Sequence, residues 1–439
     1  ALFALFADRV THRPSAPAHI GAPLAAVAAA VALVIGTRGG ILGGMIALDS
    51  VSLFSRVAIA LLLAVWLRWV SGRGTGPERP AEAVAFAMLS AVGGMLMVSA
   101  RDLIVFYISL ELSTMPAYIL MGHRRADARG LEGALKYFLL SMLTSLVMLY
   151  GLSFAYGISG STSYADLGRL DGGVLGQLAV AFVLVGLFAK LSAAPFHYWT
   201  PDAYAGAPAS SVAYVSTVPK VAGTVALVQL VAAFGANGAT VTGVLVAGSL
   251  LSMAIGNLAA YPQTDLRRLM AYSGVAHSGY ILLAVAAGGA GGHAAVFYAV
   301  AYAVPSMALM LLGAEEGTAL DDLGGLAARR PAIAWSAVAW LLSLVGIPPM
   351  VGFFGKLLMF TAAVEGGLLW LVLVAVAMSV VSAGYYFRVL RVLFFGERLD
   401  AGTVTGKPAV AIAFGALTVA TYALGVFASG VMEVFGLRF

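Results

Sequence analysis

Apolar runs of about twenty residues follow one another along nearly the whole chain, and this feature restricts the fold most. Of the 439 residues, 61% are hydrophobic and only 10% are charged, and the mean hydropathy is +0.96. A globular domain carries about 25% charged residues, and an outer-membrane barrel would show short alternating segments instead. The sequence therefore predicts an all-α polytopic membrane protein with no soluble domain.

About fourteen such runs are separated by short segments rich in Gly, Pro and charge. The chain opens with Ala1 and not with methionine, so we expect the first helix to be truncated or processed, and no cleavable signal peptide is evident. The predicted spans are 1–8 (partial), 20–37, 50–70, 81–100, 102–122, 131–157, 174–194, 208–234, 240–260, 267–287, 293–313, 332–360, 366–390 and 408–434.

Most basic residues lie in the loops that follow odd-numbered spans, as Arg124 and Arg330 do. By the positive-inside rule these loops face the cytoplasm, so both termini of this multi-pass chain are expected on the periplasmic side of a bacterial cytoplasmic (inner) membrane. The net charge of +5 reflects these loops and does not indicate a nucleic-acid partner. The chain has no cysteine, which excludes disulfides and the usual iron–sulfur ligands.

Four of the five lysines lie inside predicted spans, where a charged group is most costly. Removal from water disfavours the charged form of lysine, so a buried lysine can release and regain a proton. Lys190, Lys220 and Lys356 have no evident carboxylate partner and could form a row linked by water. Lys136, the fourth, lies near a helix end and fits equally well a lysine that snorkels to the membrane surface.

Glu111 is the only carboxylate that the sequence places deep within a span. If its helix begins near Asp102, Glu111 lies about 13–14 Å along it, close to the middle of a core of ~30 Å. Acidic residues inside a membrane are usually functional, although protonation or a pairing that serves only packing would also explain Glu111. We expect Lys136, on the next helix, to be its partner.

Two histidines, His197 and His277, are candidates for passing protons, because histidine changes charge near neutral pH. His277 lies mid-span among several hydroxyl side chains, and His197 lies beside a predicted helix break. A buried histidine is also often only a structural hydrogen-bond partner, and both interpretations stay open. No His, Asp or Glu cluster has metal-ligand spacing, and the glycine run at 72–76 follows no strand, so it is not a dinucleotide-binding motif.

Two predicted spans contain residues that break helices. Pro195 follows Lys190 by five residues, whereas Pro348 and Pro349 precede Lys356. Similar features recur in two blocks of about five helices, and an odd number of helices would invert the second block relative to the first. We expect N-terminal helices at 1–79, a first repeat at 80–234, a second repeat at 235–395 and a C-terminal helix at 396–439.

Several motifs, in this order, resemble the antiporter-like membrane subunits of bacterial respiratory complex I, NADH–quinone oxidoreductase. The resemblance covers about residues 80–395 and is strongest to subunit N, because Lys356 stands where subunit M typically has glutamate. The motifs are Glu111-Leu-Ser-Thr-Met-Pro116-Ala-Tyr118, Glu132-Gly-Ala-Leu-Lys136, Lys190-Leu-Ser-Ala-Ala-Pro195, Pro219-Lys220, Val275-Ala-His277-Ser-Gly-Tyr280 and Gly346-Ile-Pro-Pro349.

This resemblance implies about fourteen transmembrane helices with two inverted five-helix repeats, each containing a broken helix. It implies proton translocation through half-channels linked by buried residues, with roles for Glu111, Lys190, Lys220 and Lys356, in a subunit that performs no redox chemistry. Quinone reduction in partner subunits would drive the protons. NADH, FMN, iron–sulfur clusters and quinone would be bound there, with no cofactor in this chain. The implied partners are a neighbouring antiporter-like subunit, small helical subunits and the lipid bilayer.

The motifs also depart from the family pattern, at Ala205, Asp265 and Arg267, and they leave two alternatives open. Ala205 stands where the family often has glutamate, so a carboxylate role cannot be carried over to that position. A subunit of an Mrp-type sodium/proton antiporter would share the fold and the lysines, although the segment that follows Asp202 favours complex I. A scaffold subunit of a hydrogenase-type complex is the other alternative, and the retained lysines and Glu111 argue against it.

Overall fold

The computed structural model describes residues 16–72, 80–123, 127–170, 172–235, 238–397 and 407–437, and most of them are helical. Within these ranges, twelve segments are long and apolar enough to cross a membrane. The prediction of an all-α polytopic membrane protein is therefore confirmed, while the partial span predicted at 1–8 lies outside the described residues. The helices are α1 (Ala16–Ile35), α2 (Ser50–Gly72), α3 (Pro80–Met97), α4 (Leu103–Met121), α5 (Ala128–Ser159), α6 (Val174–Leu191), α7 (Trp199–Gly206), α8 (Ala209–Val215), α9 (Val218–Ala233), α10 (Gly238–Ala260), α11 (Leu266–Ala286), α12 (Ala290–Glu316), α13 (Leu326–Arg329), α14 (Pro331–Val345), α15 (Val351–Glu365), α16 (Leu369–Phe395), α17 (Pro408–Val426) and α18 (Ala428–Val434).

Short elements join some of these helices at their ends. Strands β1 (Arg38–Ile41) and β2 (Ile46–Leu48) pair antiparallel between α1 and α2. Two 3-10 helices, Tyr164–Arg169 and Leu320–Leu323, precede α6 and α13. These connections are brief, so consecutive long helices pack beside one another, as in other helical bundles.

Both predicted helix breaks are present. Helix α6 ends at Leu191 and α7 begins at Trp199, while α14 ends at Val345 and α15 begins at Val351. The span predicted at 332–360 therefore consists of two helices. At each break the chain turns through a left-handed residue, Ser192 with φ 59° and Gly346 with φ 93°.

A third interruption lies within the segment 208–234, for which the sequence predicts a single span. The structure divides it into α8 and α9, with Ser216 and Thr217 between them. Pro219 lacks the N–H that would donate to the carbonyl of Val215 four residues earlier, which explains the interruption. At the interruption the Thr217 hydroxyl donates to a different carbonyl, that of Ala213 in α8 (2.8 Å). The last predicted span, 408–434, is likewise divided, at Phe427.

One local arrangement occurs twice in the bundle. Asp102 caps α4 and forms an isolated bridge with Ser163, and Asp265 caps α11 and forms the same kind of bridge with Ala319. In each case a 3-10 helix and then a broken helix follow in the sequence. The duplication is what an internal repeat would produce. The boundary predicted at residue 235 stays a prediction, and the duplicated arrangement begins at Asp102 and Asp265.

The core lies around α12, whose membrane-spanning stretch is completely buried. Helix α11 is buried almost as fully. By contrast, only about a third of the residues of α5, α10 and α16 are buried within the chain. The outer faces of these helices carry leucine, valine and phenylalanine side chains. An apolar exterior around a core that contains polar residues is expected for a protein in lipid.

Candidate proton-transfer site

Lys190 lies in the last turn of α6, directly before the first break. Its Nζ donates to the hydroxyl of Tyr118 (3.1 Å) and to that of Ser141 (2.9 Å), which belong to α4 and α5. The same Nζ lies 5.7 Å from the centre of the Tyr118 ring. Among the described residues, no carboxylate forms an ion pair with Lys190, so hydroxyl and aromatic groups provide its polar surroundings.

Other residues satisfy the carbonyl groups that the first break leaves without helical partners. The indole Nε1 of Trp199 donates to the carbonyl of Ala189 (3.1 Å), which also accepts from the N–H of Ser192, and the hydroxyl of Ser278 donates to the carbonyl of Leu191. A helix end inside a membrane needs such partners because no water is available in the lipid core. Lys190 itself is therefore not required to satisfy these carbonyls.

Lys220 lies in the first turn of α9, directly after Pro219, and is only 4% exposed. Its Nζ donates to the carbonyl of Gly274 (2.7 Å) and to the hydroxyl of Ser278 (3.0 Å). A Cβ added at Gly274 would lie 3.3 Å from this Nζ and 2.9 Å from the Tyr302 hydroxyl. The close approach of Lys220 and Tyr302 to the backbone of α11 therefore depends on glycine at this position. Ser278 thus links Lys220 to the end of the helix that carries Lys190.

A small cavity of about 20 Å³ has both Lys190 and Lys220 in its lining. Ser113, Thr114 and Tyr137 add hydroxyl groups to the same lining. A cavity of this size with polar groups in its lining is large enough for about one water molecule. The cavity therefore provides a polar connection between two lysines that form no direct hydrogen bond with each other.

Lys356 lies in α15, after the second break, and is 5% exposed. Its Nζ donates to the carbonyls of Leu344 (3.1 Å) and Val345 (2.8 Å) at the end of α14, and to the hydroxyl of Ser379 (2.7 Å). A cavity of about 400 Å³ beside Lys356 also includes exposed side chains such as Leu357 in its lining. Lys356 therefore hydrogen-bonds the carbonyl end of the broken helix and also lies close to the protein surface.

His277 lies between the surroundings of Lys220 and those of Lys356. The Lys220 Nζ lies 4.9 Å from the centre of the Tyr302 ring, and that ring lies 4.8 Å from the imidazole. On the other side, the imidazole lies 5.7 Å from the Tyr280 ring, whose centre is 5.1 Å from the Lys356 Nζ. One histidine and two tyrosines thus occupy the space between the two lysines.

Both ring nitrogens of His277 have hydroxyl partners. Nδ1 lies 2.6 Å from the Tyr298 hydroxyl and Nε2 lies 3.1 Å from the Tyr386 hydroxyl. The Tyr386 hydroxyl lies 2.5 Å from that of Ser273. A hydroxyl can both donate and accept, so each of these contacts remains possible in either protonation state of the imidazole. The arrangement suits a group that gains and loses a proton.

The expected pairing of Lys136 with Glu111 is wrong. Lys136 Nζ pairs instead with Glu132 (2.8 Å), one turn earlier on α5, and with Asp202 (2.9 Å) on α7, and its side chain is 43% exposed. Asp202 is shared with Arg268 (3.0 Å). The position of Lys136 near the polar start of α5 explains this, because carboxylates in that region lie closer to it than Glu111 does.

Both carboxylate oxygens of Glu111 are buried and accept no hydrogen bond from a described residue. A buried carboxylate without a partner is costly. His197 is also buried, at 6% exposure, and its Nδ1 has no partner among the described residues. The structure brings Lys190, Lys220, His277 and Lys356 into one connected region, but it shows no contact that joins His197 to them.

Sequence reasoning missed the polar and aromatic residues that surround the lysines. They are Tyr118, Ser141, Ser278, Tyr280, Tyr298, Tyr302, Ser379 and Tyr386. Ser278 and Tyr280 lie within the motif around His277, and Tyr118 lies at the end of the motif that begins at Glu111, so these three could have been found there. The others lie on separate helices, and serine and tyrosine are common enough in spans to give no clear signal.

The fold and the row of lysines inside the bundle define a class, the antiporter-like membrane subunits. Residues 100–382 match the family described as NADH:quinone oxidoreductase/Mrp antiporter, TM. The chain is similar to the subunit N of NADH–quinone oxidoreductase of Erythrobacter litoralis, 39% identical over 88% of this chain and 82% of that protein. A second subunit N, from Solidesulfovibrio magneticus, is 38% identical over 93% of this chain and 88% of that protein.

Solved structures agree with these sequence relatives. A chain of respiratory complex I from Thermus thermophilus, solved with bound aureothin, is 31% identical, with a TM-score of 0.87 over 100% of this chain and 99% of that chain. A chain of the Mrp complex from Dietzia sp. DQ12-45-1b, 24% identical, has a TM-score of 0.88 over 99% of this chain and 94% of that chain, which shows the shared fold. The chain belongs to the subunit N family of NADH–quinone oxidoreductase.

Proposed function

We propose that this chain moves protons across the bacterial cytoplasmic membrane as a subunit of respiratory complex I. The observation that carries the proposal is a series of neighbouring groups: Lys190 and Lys220 line one cavity, and tyrosine rings lie between Lys220, His277 and Lys356. Ionisable groups inside a membrane are costly unless they have a use, and proton relays are the common use. Subunit names among the relatives favour complex I over an Mrp antiporter.

In this proposal a proton enters a half-channel, resides on Lys190 and passes to Lys220. The small cavity that both lysines line supports this step, because a water molecule there, or the hydroxyl of Ser113 in its lining, can accept one proton while releasing another. Lys190 forms no ion pair with a carboxylate among the described residues, so no fixed partner would oppose release of its proton. Lys220 likewise has a carbonyl, a hydroxyl and an aromatic ring as neighbours.

From Lys220 the proton passes through His277 to Lys356 and leaves through the surface cavity beside Lys356. The imidazole can take a proton at one ring nitrogen and release another from the opposite nitrogen, and each nitrogen has a tyrosine hydroxyl beside it. Glu111 would tune the first half of the route through its charge. Lys136 and His197 have supporting roles in this proposal, Lys136 through its ion pairs and His197 beside the first break.

The driving force would come from other subunits, where NADH, FMN, iron–sulfur clusters and quinone are bound. A change of charge or hydration at one end of the row would shift the protonation of the next lysine, because like charges repel strongly in a medium of low dielectric constant. The neighbouring antiporter-like subunit and small helical subunits would be the direct partners, with both termini of this chain on the periplasmic side.

The test compares Lys220→Ala and Glu111→Ala with the unmodified protein in the complete complex, reconstituted in vesicles. Protons moved per electron are measured together with NADH oxidation by a water-soluble acceptor. We expect both variants to assemble and to oxidise NADH normally, with fewer protons moved per electron. Lys407→Ala is the matched control, because Lys407 lies at the start of α17 and is exposed. An unchanged ratio in both variants would contradict the proposed roles.

A further inference from the structure

A groove on the outside of the bundle, apart from the lysine row, combines a basic end with an apolar slot. Its upper part, about 470 Å³ in volume, is formed by the start of α1, the end of α2 and the first half of α17. His19, Arg68 and Ser71 contribute the polar groups of this part. The helix ends that meet there mark the boundary of the membrane-spanning segments.

The slot below this part is lined by apolar residues. It has a volume of about 200 Å³ and lies between α2, α12, α17 and α18, with Phe54, Ala58, Val300 and Leu424 in its lining. The two parts are continuous, because Leu61, Val65 and Ala416 line both of them. From Arg68 to Ala58, α2 rises about 15 Å, which is close to the depth of one leaflet of the hydrocarbon core.

The basic end lacks a negatively charged partner. The one described hydrogen bond of the Arg68 guanidinium goes to the hydroxyl of Ser71 (3.5 Å), and no carboxylate pairs with it among the described residues. His19 is exposed beside it. A Cβ added at Gly72 would lie 2.7 Å from that of Ala409, so α2 and α17 meet here and Lys407 lies at the same end.

We propose that this groove binds an anionic phospholipid, with the phosphate on Arg68 and His19 and one acyl chain in the slot. Cationic side chains at the membrane boundary attract acidic lipid headgroups, and an apolar slot open to the bilayer suits an acyl chain. The distance between the basic end and the slot matches a lipid whose charged and apolar parts are covalently joined. A free phosphate ion would use only the upper part and would leave the apolar slot without a role.

The experiment uses the complete complex in nanodiscs of phosphatidylcholine that contain a small fraction of phosphatidylglycerol with a photoactivatable group on its acyl chain. After irradiation and digestion, mass spectrometry locates the labelled residues. We expect labels on the lining residues of α2 and α17. Excess phosphatidylglycerol should suppress them, whereas excess phosphatidylcholine should not.

Two pairs of variants make the result specific. Arg68→Gln should reduce labelling about fivefold, the effect of one lost contact between a basic residue and an acidic lipid, while Arg391→Gln, at an exposed position near the end of α16, should not. Ala416→Phe should block the slot, whereas Ala411→Phe, on the same helix outside the lining, should leave labelling unchanged.

Three outcomes would overturn the proposal. The first is equal labelling in Arg68→Gln and the unmodified protein, since it would show that the basic end attracts no headgroup. The second is suppression by inorganic phosphate as effective as that by the lipid, which would indicate a simple anion site. The third is absence of label from the groove in the intact complex, which would mean that another part of the protein covers it.

Discussion

The two helix breaks differ in which side chains donate hydrogen bonds to their free backbone carbonyls. Each leaves backbone carbonyls without partners inside the membrane, and each has a lysine beside it. At the second break Lys356 itself donates to the carbonyls of Leu344 and Val345. At the first break Trp199 and Ser278 satisfy the carbonyls, and Lys190 donates only to side-chain hydroxyls.

The difference follows from the order of lysine and proline in the sequence. Lys190 precedes Pro195, so it belongs to the helix that ends and projects toward α4 and α5. Lys356 follows Pro349, so it belongs to the helix that begins after the break and reaches back to the carbonyl end of α14, where a cation is electrostatically favoured. A lysine after the break can therefore stabilise the broken helix by donating to its carbonyls, whereas a lysine before the break does not have this structural role.

The largest expected effect comes from Lys356→Arg. Arginine can still donate to both carbonyls, but it keeps its proton at any physiological pH. We expect the complex to assemble and proton movement through this chain to stop, as measured by protons moved per electron in vesicles. Normal pumping would show that Lys356 acts as a fixed charge and does not carry protons.

Replacement of each lysine by methionine separates the structural role from the transport role. Both Lys356→Met and Lys190→Met should block proton movement, but only Lys356→Met leaves the Leu344 carbonyl unsatisfied. Lys356→Met should therefore lower the free energy of unfolding by about 1–3 kcal/mol more than Lys190→Met does. Thermal unfolding of the assembled complex measures this difference, and equal stabilities would remove the distinction between the two breaks.

Trp199→Phe tests the satisfaction of carbonyls at the first break. The aromatic contact remains and the N–H of Ser192 still donates to the Ala189 carbonyl, but the indole donor is lost, so we expect a loss of about 1 kcal/mol in stability with little change in pumping. Trp335→Phe is the control, because Trp335 is 64% exposed on α14. A large loss of pumping in Trp199→Phe with unchanged stability would show that the indole acts on Lys190 and not on the backbone.

The smallest effect is expected from Tyr298→Phe, which removes the hydroxyl beside Nδ1 of His277 and leaves the ring. Loss of one hydrogen bond of about 1 kcal/mol corresponds to roughly a fivefold slower transfer. Proton release during a single turnover would measure it, with Tyr422→Phe on α17 as the control. An unchanged rate would indicate that protons do not pass through His277.

The sequence was sufficient for the features that depend on rare residues in an apolar background. Long apolar runs predicted the helices, prolines predicted the two breaks, and lysines within spans predicted the candidate site. The interruption before Lys220 could also have been expected, because Pro219 removes the donor for the carbonyl of Val215. That proline was treated only as part of a family motif.

The partners of the ionisable residues were not predictable to the same extent. Glu111 and Lys136 lie on consecutive helices, but which side chains face each other depends on the rotation of each helix, which weakly amphipathic apolar sequences do not specify. The pairing of Lys136 with Asp202 joins residues from a helix and from the segment beyond a break. The tyrosines around His277 come from three helices that become neighbours only in the folded bundle.

The most direct test asks whether Lys220 changes its protonation during turnover. Infrared difference spectra of the complete complex, with lysine labelled with nitrogen-15, would reveal an ammonium band that appears or disappears when NADH is added. We expect the spectra of the unmodified protein and of Lys407→Met to contain a band from Lys220, beside those of Lys190 and Lys356, and this band to be absent in Lys220→Met. Identical difference spectra for all three proteins would contradict the proposal that Lys220 carries protons.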